Sequence, residues 1–242
     1  MPNWCQNSLN ISHADPAMIA RAKAAFEAGK LFNEFIPVPR ELVDTVVGYM
    51  GDGEDQRKLE AQSAKNRETY GYANWYDFCI GEWGTKWDVA NGEITSETDN
   101  MLIMYFDTAW SPAIAAYDRL IEQGFDIQAM YYESGMGFCG SYTSEYGDDC
   151  IDITGDSSWV ERNIPPEINE QFAISEWMDE YEQENAEDED EEEDEDENEV
   201  LIDQVVERIK EDIAKGDVTA VAELLGFIPE KKLKVYLDPE NN

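Results

Sequence analysis

Residues 100–145, NMLIMYFDTAWSPAIAAYDRLIEQGFDIQAMYYESGMGFCGSYTSE, decide the fold class. The apolar run at 100–107 is short and bounded by polar residues, which suits a strand buried on both faces. Ser111-Pro112 then reads as a helix cap with proline at the first helical position. Ile114, Tyr117, Leu120 and Ile121 recur at helical spacing until Gly124 stops the pattern. Two strand-like runs, 125–133 and 138–145, flank Ser134-Gly135-Met136-Gly137, whose glycines allow a tight hairpin reversal. Strand, helix and hairpin in that order indicate an α+β domain.

Upstream, residues 4–12 read as a first strand, with Leu9 and Ile11 sharing a face. Asp15-Pro16 repeats the cap-and-proline signal, and Ile19, Ala22 and Phe26 predict an amphipathic helix over 16–28. FNEFIPVP (32–39) carries two prolines that cannot donate to a ladder, so an ordered loop is expected. The polar stretch 48–65 reads as an exposed excursion. In ANWYDFCIGEWGTKW (73–87), Trp75, Phe78, Cys79 and Trp83 follow helical spacing, and Gly84 sits where a helix would end. Residues 150–154 add a short strand. Residues 1–160 are thus expected to form an α+β sandwich, a mainly antiparallel sheet with helices on one face.

Past Pro165 the pattern changes. Ile168, Phe172, Ile174 or Ser175, and Trp177 suggest a helix running into an acidic tract across 161–199. Residues 187–197 contain no apolar side chain, and like charges at every helical neighbour position predict an extended, disordered linker. Leu201, Val205, Ile209 and Ile213 then form a narrow stripe; Asp217 can cap a second helix ending near Gly226, and Pro229 can open a third through Tyr236. Residues 200–242 therefore read as a small helical module, and a unit this small calls for docking or self-association through 200–237.

The 242 residues carry 17 basic and 55 acidic side chains, a net charge of -38. Residues 176–199 hold 17 acids and no base, which leaves -21 on the rest of the chain. This charge repels phosphate backbones and anionic membranes, so no direct nucleic-acid or membrane binding is expected; a basic protein is the natural complement. No stretch approaches the roughly 20 apolar residues of a membrane span. The start Met1-Pro2-Asn3-Trp4-Cys5 lacks a signal peptide's basic and apolar regions, so a cytoplasmic location is expected, the host's if the chain is phage-encoded. Cys5, Cys79, Cys139 and Cys150 form no CxxC pair, so reduced and mostly buried thiols are expected, with no metal or cofactor.

Three motifs carry a family resemblance: Met1-Pro2-Asn3-Trp4-Cys5-Gln6-Asn7-Ser8-Leu9-Asn10-Ile11, Trp83-Gly84-Thr85-Lys86-Trp87 and Ser134-Gly135-Met136-Gly137-Phe138-Cys139-Gly140. Across about residues 1 to 155 the chain resembles the YubB-like ferredoxin-like family of phage and plasmid proteins. The resemblance implies a ferredoxin-like sandwich from a mobile genetic element, and it brings no activity and no catalytic or ligand residue. Residues 216–237 look like a short module appended to assorted phage and plasmid proteins.

His13 is the single histidine, which excludes multi-His metal sites, and it reads as an exposed loop residue. With 55 carboxylates no acid dyad stands out, and Gly135, Gly137 and Gly140 lack the GK[ST] of a phosphate loop. No catalytic residue is assigned. Trp75, Trp83, Trp87, Trp110, Tyr131, Tyr132 and Tyr142 could supply a recognition surface; core packing is expected for Trp83 and Trp87, while Trp110 stays open between the two. Candidate interaction residues are Trp110, Tyr132, Tyr142 and the tract acids Glu187, Asp188, Asp190, Glu192, Asp194 and Asp196. The tract reads first as a spacer and second as a DNA mimic aimed at a host defence factor. The leading expectation is a non-catalytic accessory protein of a phage or plasmid that binds a basic, DNA-handling or defence protein. The alternatives are an enzyme on a small cationic or metal-bound ligand, and an oligomerising scaffold.

Overall fold

Every second residue of the first strand points into a core, and the rest of the fold assembles on that alternation. A computed structural model describes residues 3–216, 218–228, 231 and 234, with backbone alone for 185–200 and 220. In chain order the elements are β1 (Trp4–Ser12), α1 (Pro16–Glu27), α2 (Leu31–Phe35), α3 (Arg40–Val43), α4 (Glu54–Tyr70) and α5 (Trp75–Trp83). Then come β2 (Ala90–Thr98), β3 (Met101–Ala109), α6 (Ile114–Glu122), β4 (Asp126–Glu133), β5 (Phe138–Thr143) and β6 (Gly147–Asp152). The chain continues through α7 (Ser157–Asn163), α8 (Pro166–Phe172), α9 (Ile174–Ala214) and α10 (Thr219–Gly226).

The six strands form one sheet, ordered β2-β3-β1-β4-β5-β6, with every neighbouring pair antiparallel. Leu9 and Ile11 of β1, Leu102, Met104 and Phe106 of β3, and Ile127 and Ala129 of β4 face a core shared with α1, α2, α3, α5 and α6. Helix formation follows the local signals. The Asp15 carboxylate accepts from the Ala17 N–H at the start of α1, Asn74 caps α5 through the Asp77 N–H, and Gly84 closes α5 at φ 81°, a left-handed value that suits glycine. Asp88 accepts the N–H groups of Phe32 and Asn33 at 3.0 and 2.9 Å and so anchors α2; burial pushes its carboxyl up despite these bonds.

The expectation of helices on one face is corrected. Val160, Ile164, Ile168, Phe172 and Ile174 form a second core with Cys139 on the opposite face, against Tyr105, Met130, Tyr132 and Ile151. One compact unit accordingly comprises Met1–Asp179, past the expected boundary at 160. The same cover explains β3. Its burial alternates strictly through most of its length, and Ile103 and Tyr105 on the second face are half-buried, so both faces of that strand are apolar without both being sealed.

Glycine at 140 is dictated by packing, since a Cβ there would run into the Asp149 carbonyl and the Tyr131 ring well inside contact distance. Gly140→Ala is expected to destabilise the fold by about 1–3 kcal/mol, because the backbone carbonyl cannot step aside. Urea unfolding monitored by tryptophan fluorescence measures this, and an unchanged midpoint would contradict it.

Glu180–Asn242 is a second compact unit. Leu201, Val205 and Ile209 of α9 and Val221 and Leu224 of α10 line a shared cleft of about 340 Å³. Where a disordered linker is expected, the backbone of the acidic tract is helical, within α9. Glutamate has near-alanine helix propensity, and each like-charge i,i+4 pair costs only about 0.2–0.5 kcal/mol. Asp217 and most of the expected helix at 229–236 lie outside the described residues.

Candidate binding groove on the second sheet face

The register of the central strands gathers aromatic rings and amides at one end of the second face. Gln6 pairs with Asp107 on β3 and with Tyr132 on β4, Ser8 pairs with Tyr105, and Trp4 lies opposite Ala109. Alternation therefore places Trp4, Gln6, Tyr105, Asp107 and Tyr132 on the same side. α8 lays Phe172 over them, with its ring centroid 6.2 Å from that of Tyr105 and 6.1 Å from that of Tyr132. α8 ends at Ala173 in a left-handed conformation (φ 49°), and Asn169 accepts the Ser175 N–H at 2.8 Å to start α9. That turn brings Trp177, which is 65% exposed, to the edge of the site.

The result is an open groove of about 690 Å³ whose floor is the sheet and whose wall is the α8–α9 junction. Asn3, Ser134 and Gln171 add polar groups to its lining. Glu133, fully buried, sets the adjoining hairpin by accepting the N–H groups of Gly135 and Met136. Burial pushes the Tyr105 and Tyr132 phenols up, with the Asp107 carboxylate adding to the effect at Tyr105, so both remain protonated near neutral pH. The lining holds one carboxylate, Asp107, and no Lys, Arg or His. Such a site offers ring faces, amides and one negative charge, without a nucleophile and base in contact.

The aromatic surface continues beyond the groove. Trp87 lies 6.0 Å from Trp4 between ring centroids, and the Lys86 ammonium sits 4.5 Å over the Trp87 ring. Trp110, at the end of β3, holds φ 72°, an uncommon value outside glycine, and donates its N–H to the Asn3 carbonyl at 3.0 Å.

Of the sequence-predicted interaction residues, Tyr132 stands in the groove and Trp110 is exposed beside it in the backbone. Tyr142 is corrected: it is 3% exposed in the core, its ring tilted against that of Tyr117 with centroids 5.4 Å apart and its hydroxyl donating to Asp118. Alternation on β5 turns it toward α6, away from solvent. The side chains of Glu187, Asp188, Asp190, Glu192, Asp194 and Asp196 lie outside the described residues. Trp83 is buried as expected and donates to the Ile36 carbonyl at 3.0 Å, whereas Trp87 is 38% exposed, a correction to its core assignment. His13 lies at the far end of β1, accepting the Asp15 N–H at 2.9 Å. Among the described residues no group of His, Cys, Asp and Glu side chains could hold a metal ion, and no helix is long and apolar enough to cross a membrane.

Cysteine exposure separates cleanly. Cys5, Cys79 and Cys139 are buried, and desolvation raises all three thiols, Cys79 to about 12 and Cys139 to about 11; Cys150 is exposed on β6. A thiol reagent at neutral pH is expected to label Cys150 rapidly and the other three only on unfolding. Mass spectrometry of the labelled native protein checks this, and rapid native labelling of Cys139 would contradict the packing of α8.

No family model matches the chain, and no curated protein matches it. Among solved structures, the chain is similar to the crystal structure of protein api92 from Yersinia pseudotuberculosis, family-model DUF1281. The identity is 13% and the TM-score 0.34, over 64% of this chain and 99% of that one.

Proposed function

We propose that this chain is a non-enzymatic interaction protein with a ferredoxin-like core, which binds a basic protein through the groove on its second sheet face. The observation that carries the reading is the groove itself, where Trp4, Tyr105, Tyr132, Phe172 and Trp177 meet one carboxylate and no cation. Aromatic anchors with a few fixed polar groups are what binding hot spots use, and a net charge of -38 favours encounter with a cationic partner. The ferredoxin-like reading is supported by the order β2-β3-β1-β4, with helices connecting β1 to β2 and β3 to β4; β5 and β6 extend the β4 edge. Membership of the YubB-like family, an origin in a phage or plasmid and a cytoplasmic setting complete the proposal; the first two rest on the sequence motifs. A host defence or DNA-handling protein fits as the basic partner.

The test is calorimetric titration of the full-length protein with basic and acidic peptides at low and high salt, beside the Trp4→Ala/Trp177→Ala variant. The variant keeps the whole charge and loses two rings. Basic peptides are expected to bind, more weakly at high salt, and the variant to lose about tenfold in affinity. Unchanged binding by the variant would remove the groove from the reading.

A second reading, a scaffold that self-associates through residues 200–237, is favoured by the exposure of Leu201, Ile202, Ile213, Leu224, Leu225 and Phe227. Light scattering of the full chain against a truncation after Glu180 decides it, and a monomer in both cases removes it.

A further inference from the structure

We infer that the groove is built for an arginine side chain of the partner, an inference that rests on the binding role proposed above. The lining excludes other occupants in turn. An anion would meet Asp107 with no Lys, Arg or His in the lining to balance it. An aliphatic side chain would desolvate Asp107, Gln6 and Gln171 without returning a hydrogen bond, which costs about 1–3 kcal/mol for each group left unpaired. Of these three kinds of side chain a cation is the one that satisfies both Asp107 and the rings, and its shape is the remaining question.

An ammonium is a compact point charge with three donors, whereas a guanidinium is a plane with five donors in its rim and two faces free for stacking. The groove supplies both kinds of partner. Trp4 and Trp177, 37% and 65% exposed, offer ring faces, while the Asp107 carboxylate and the amide oxygens of Gln6 and Gln171 offer acceptors. Asp107 is already oriented, since the Asn91 amide donates to one of its oxygens at 2.9 Å. The molecule itself places cations on rings nearby and elsewhere: Lys86 lies over Trp87, and the Arg21 guanidinium lies 4.5 Å from the centre of Phe35. Because Lys86 occupies Trp87, the incoming side chain is directed to the Trp4 and Trp177 side. A trimethylated lysine would satisfy the rings but has no donor for Asp107.

The experiment titrates full-length protein with short Gly/Ser-rich peptides that differ only in carrying arginine, lysine or trimethyl-lysine at the same positions. The native protein is expected to bind the arginine peptide about fivefold more tightly than the other two, the size of one added hydrogen bond net of the water it replaces. Asp107→Asn is expected to abolish that preference while leaving cooperative unfolding intact, and Trp177→Ala to weaken all three. Equal or tighter binding of lysine or trimethyl-lysine by the native protein would overturn the inference and leave the groove as a general cation site. If neither substitution changes the affinity for any peptide, the groove is not the binding site and the wider reading fails with the inference.

Discussion

Phe172→Ala is expected to lower the free energy of unfolding by about 3–5 kcal/mol, the cost of deleting a buried aromatic ring. Phe172 is 5% exposed and bridges Tyr105 and Tyr132, so its loss removes the contact that seats α8 on the sheet. The destabilisation should come with faster thiol labelling of Cys139, which shares that second core, before any change at Cys79, which lies in the first. Trp177→Ala, at a position 65% exposed, serves as the contrast and should cost less than about 1 kcal/mol. Urea denaturation curves with time-resolved labelling measure both. A Phe172→Ala protein as stable as the native one would mean that α7 and α8 are an attachment to the first unit and no part of its core.

Asn7→Ala is expected to cost about 2–4 kcal/mol, from a single side chain that touches no ligand. Asn7 is fully buried, and its amide donates to the Cys5 carbonyl at 2.8 Å, the Thr108 hydroxyl at 2.9 Å and the Phe106 carbonyl at 3.3 Å. The Tyr117 hydroxyl, also fully buried, donates to the Asn7 oxygen at 3.4 Å and has no other described acceptor. Alanine would leave that hydroxyl and the Phe106 side of the network without their partner in a site closed to water. Asn7→Asp should be worse near neutral pH, because a carboxylate cannot donate to the two carbonyls, and burial disfavours its charge. Burial raises the pKa of such an acid in the folded state, so the variant should be most stable at acid pH and lose stability as the pH rises. Thermal unfolding of both variants across pH checks the order and the sign.

Some elements could be read in the sequence because one physical signal dominates them. α1 and α5 start at side-chain caps and stop at or just before glycine, and the β4–β5 reversal sits at Ser134-Gly135-Met136-Gly137, as the residues indicate. α6 begins later than its cap signal because Ser111 uses its hydroxyl to reach the Gly84 carbonyl at 2.6 Å instead of capping the helix. β2 carries no apolar alternation in the sequence because it is a polar edge strand, paired only with β3 and exposed at most positions. α4 buries a single residue, Asn66, and α2 sits where prolines nearby suggested a loop.

The second face is the instructive case. Val160, Ile164, Ile168 and Phe172 recur every four residues, yet Pro165 breaks the helix between them, so the stripe spans two helices and only its second half, Ile168 and Phe172, reads as helical. The groove was legible only in fragments. Trp4 and Gln6 share a strand face by parity, as do Tyr105 and Asp107, but their meeting depends on which strands are neighbours, and nothing local encodes that. Aromatic residue type alone pointed to Tyr132, which is in the groove, and equally to Tyr142, which parity and register turn into the core.

The decisive measurement is the perturbation of the indole N–H resonances of the full-length protein on titration with the arginine peptide. The signals of Trp4 and Trp177 are expected to move in a saturable way at moderate salt, while that of Trp83, buried and bonded to the Ile36 carbonyl, stays in place. Saturable binding that leaves Trp4 and Trp177 unmoved would contradict recognition at the groove.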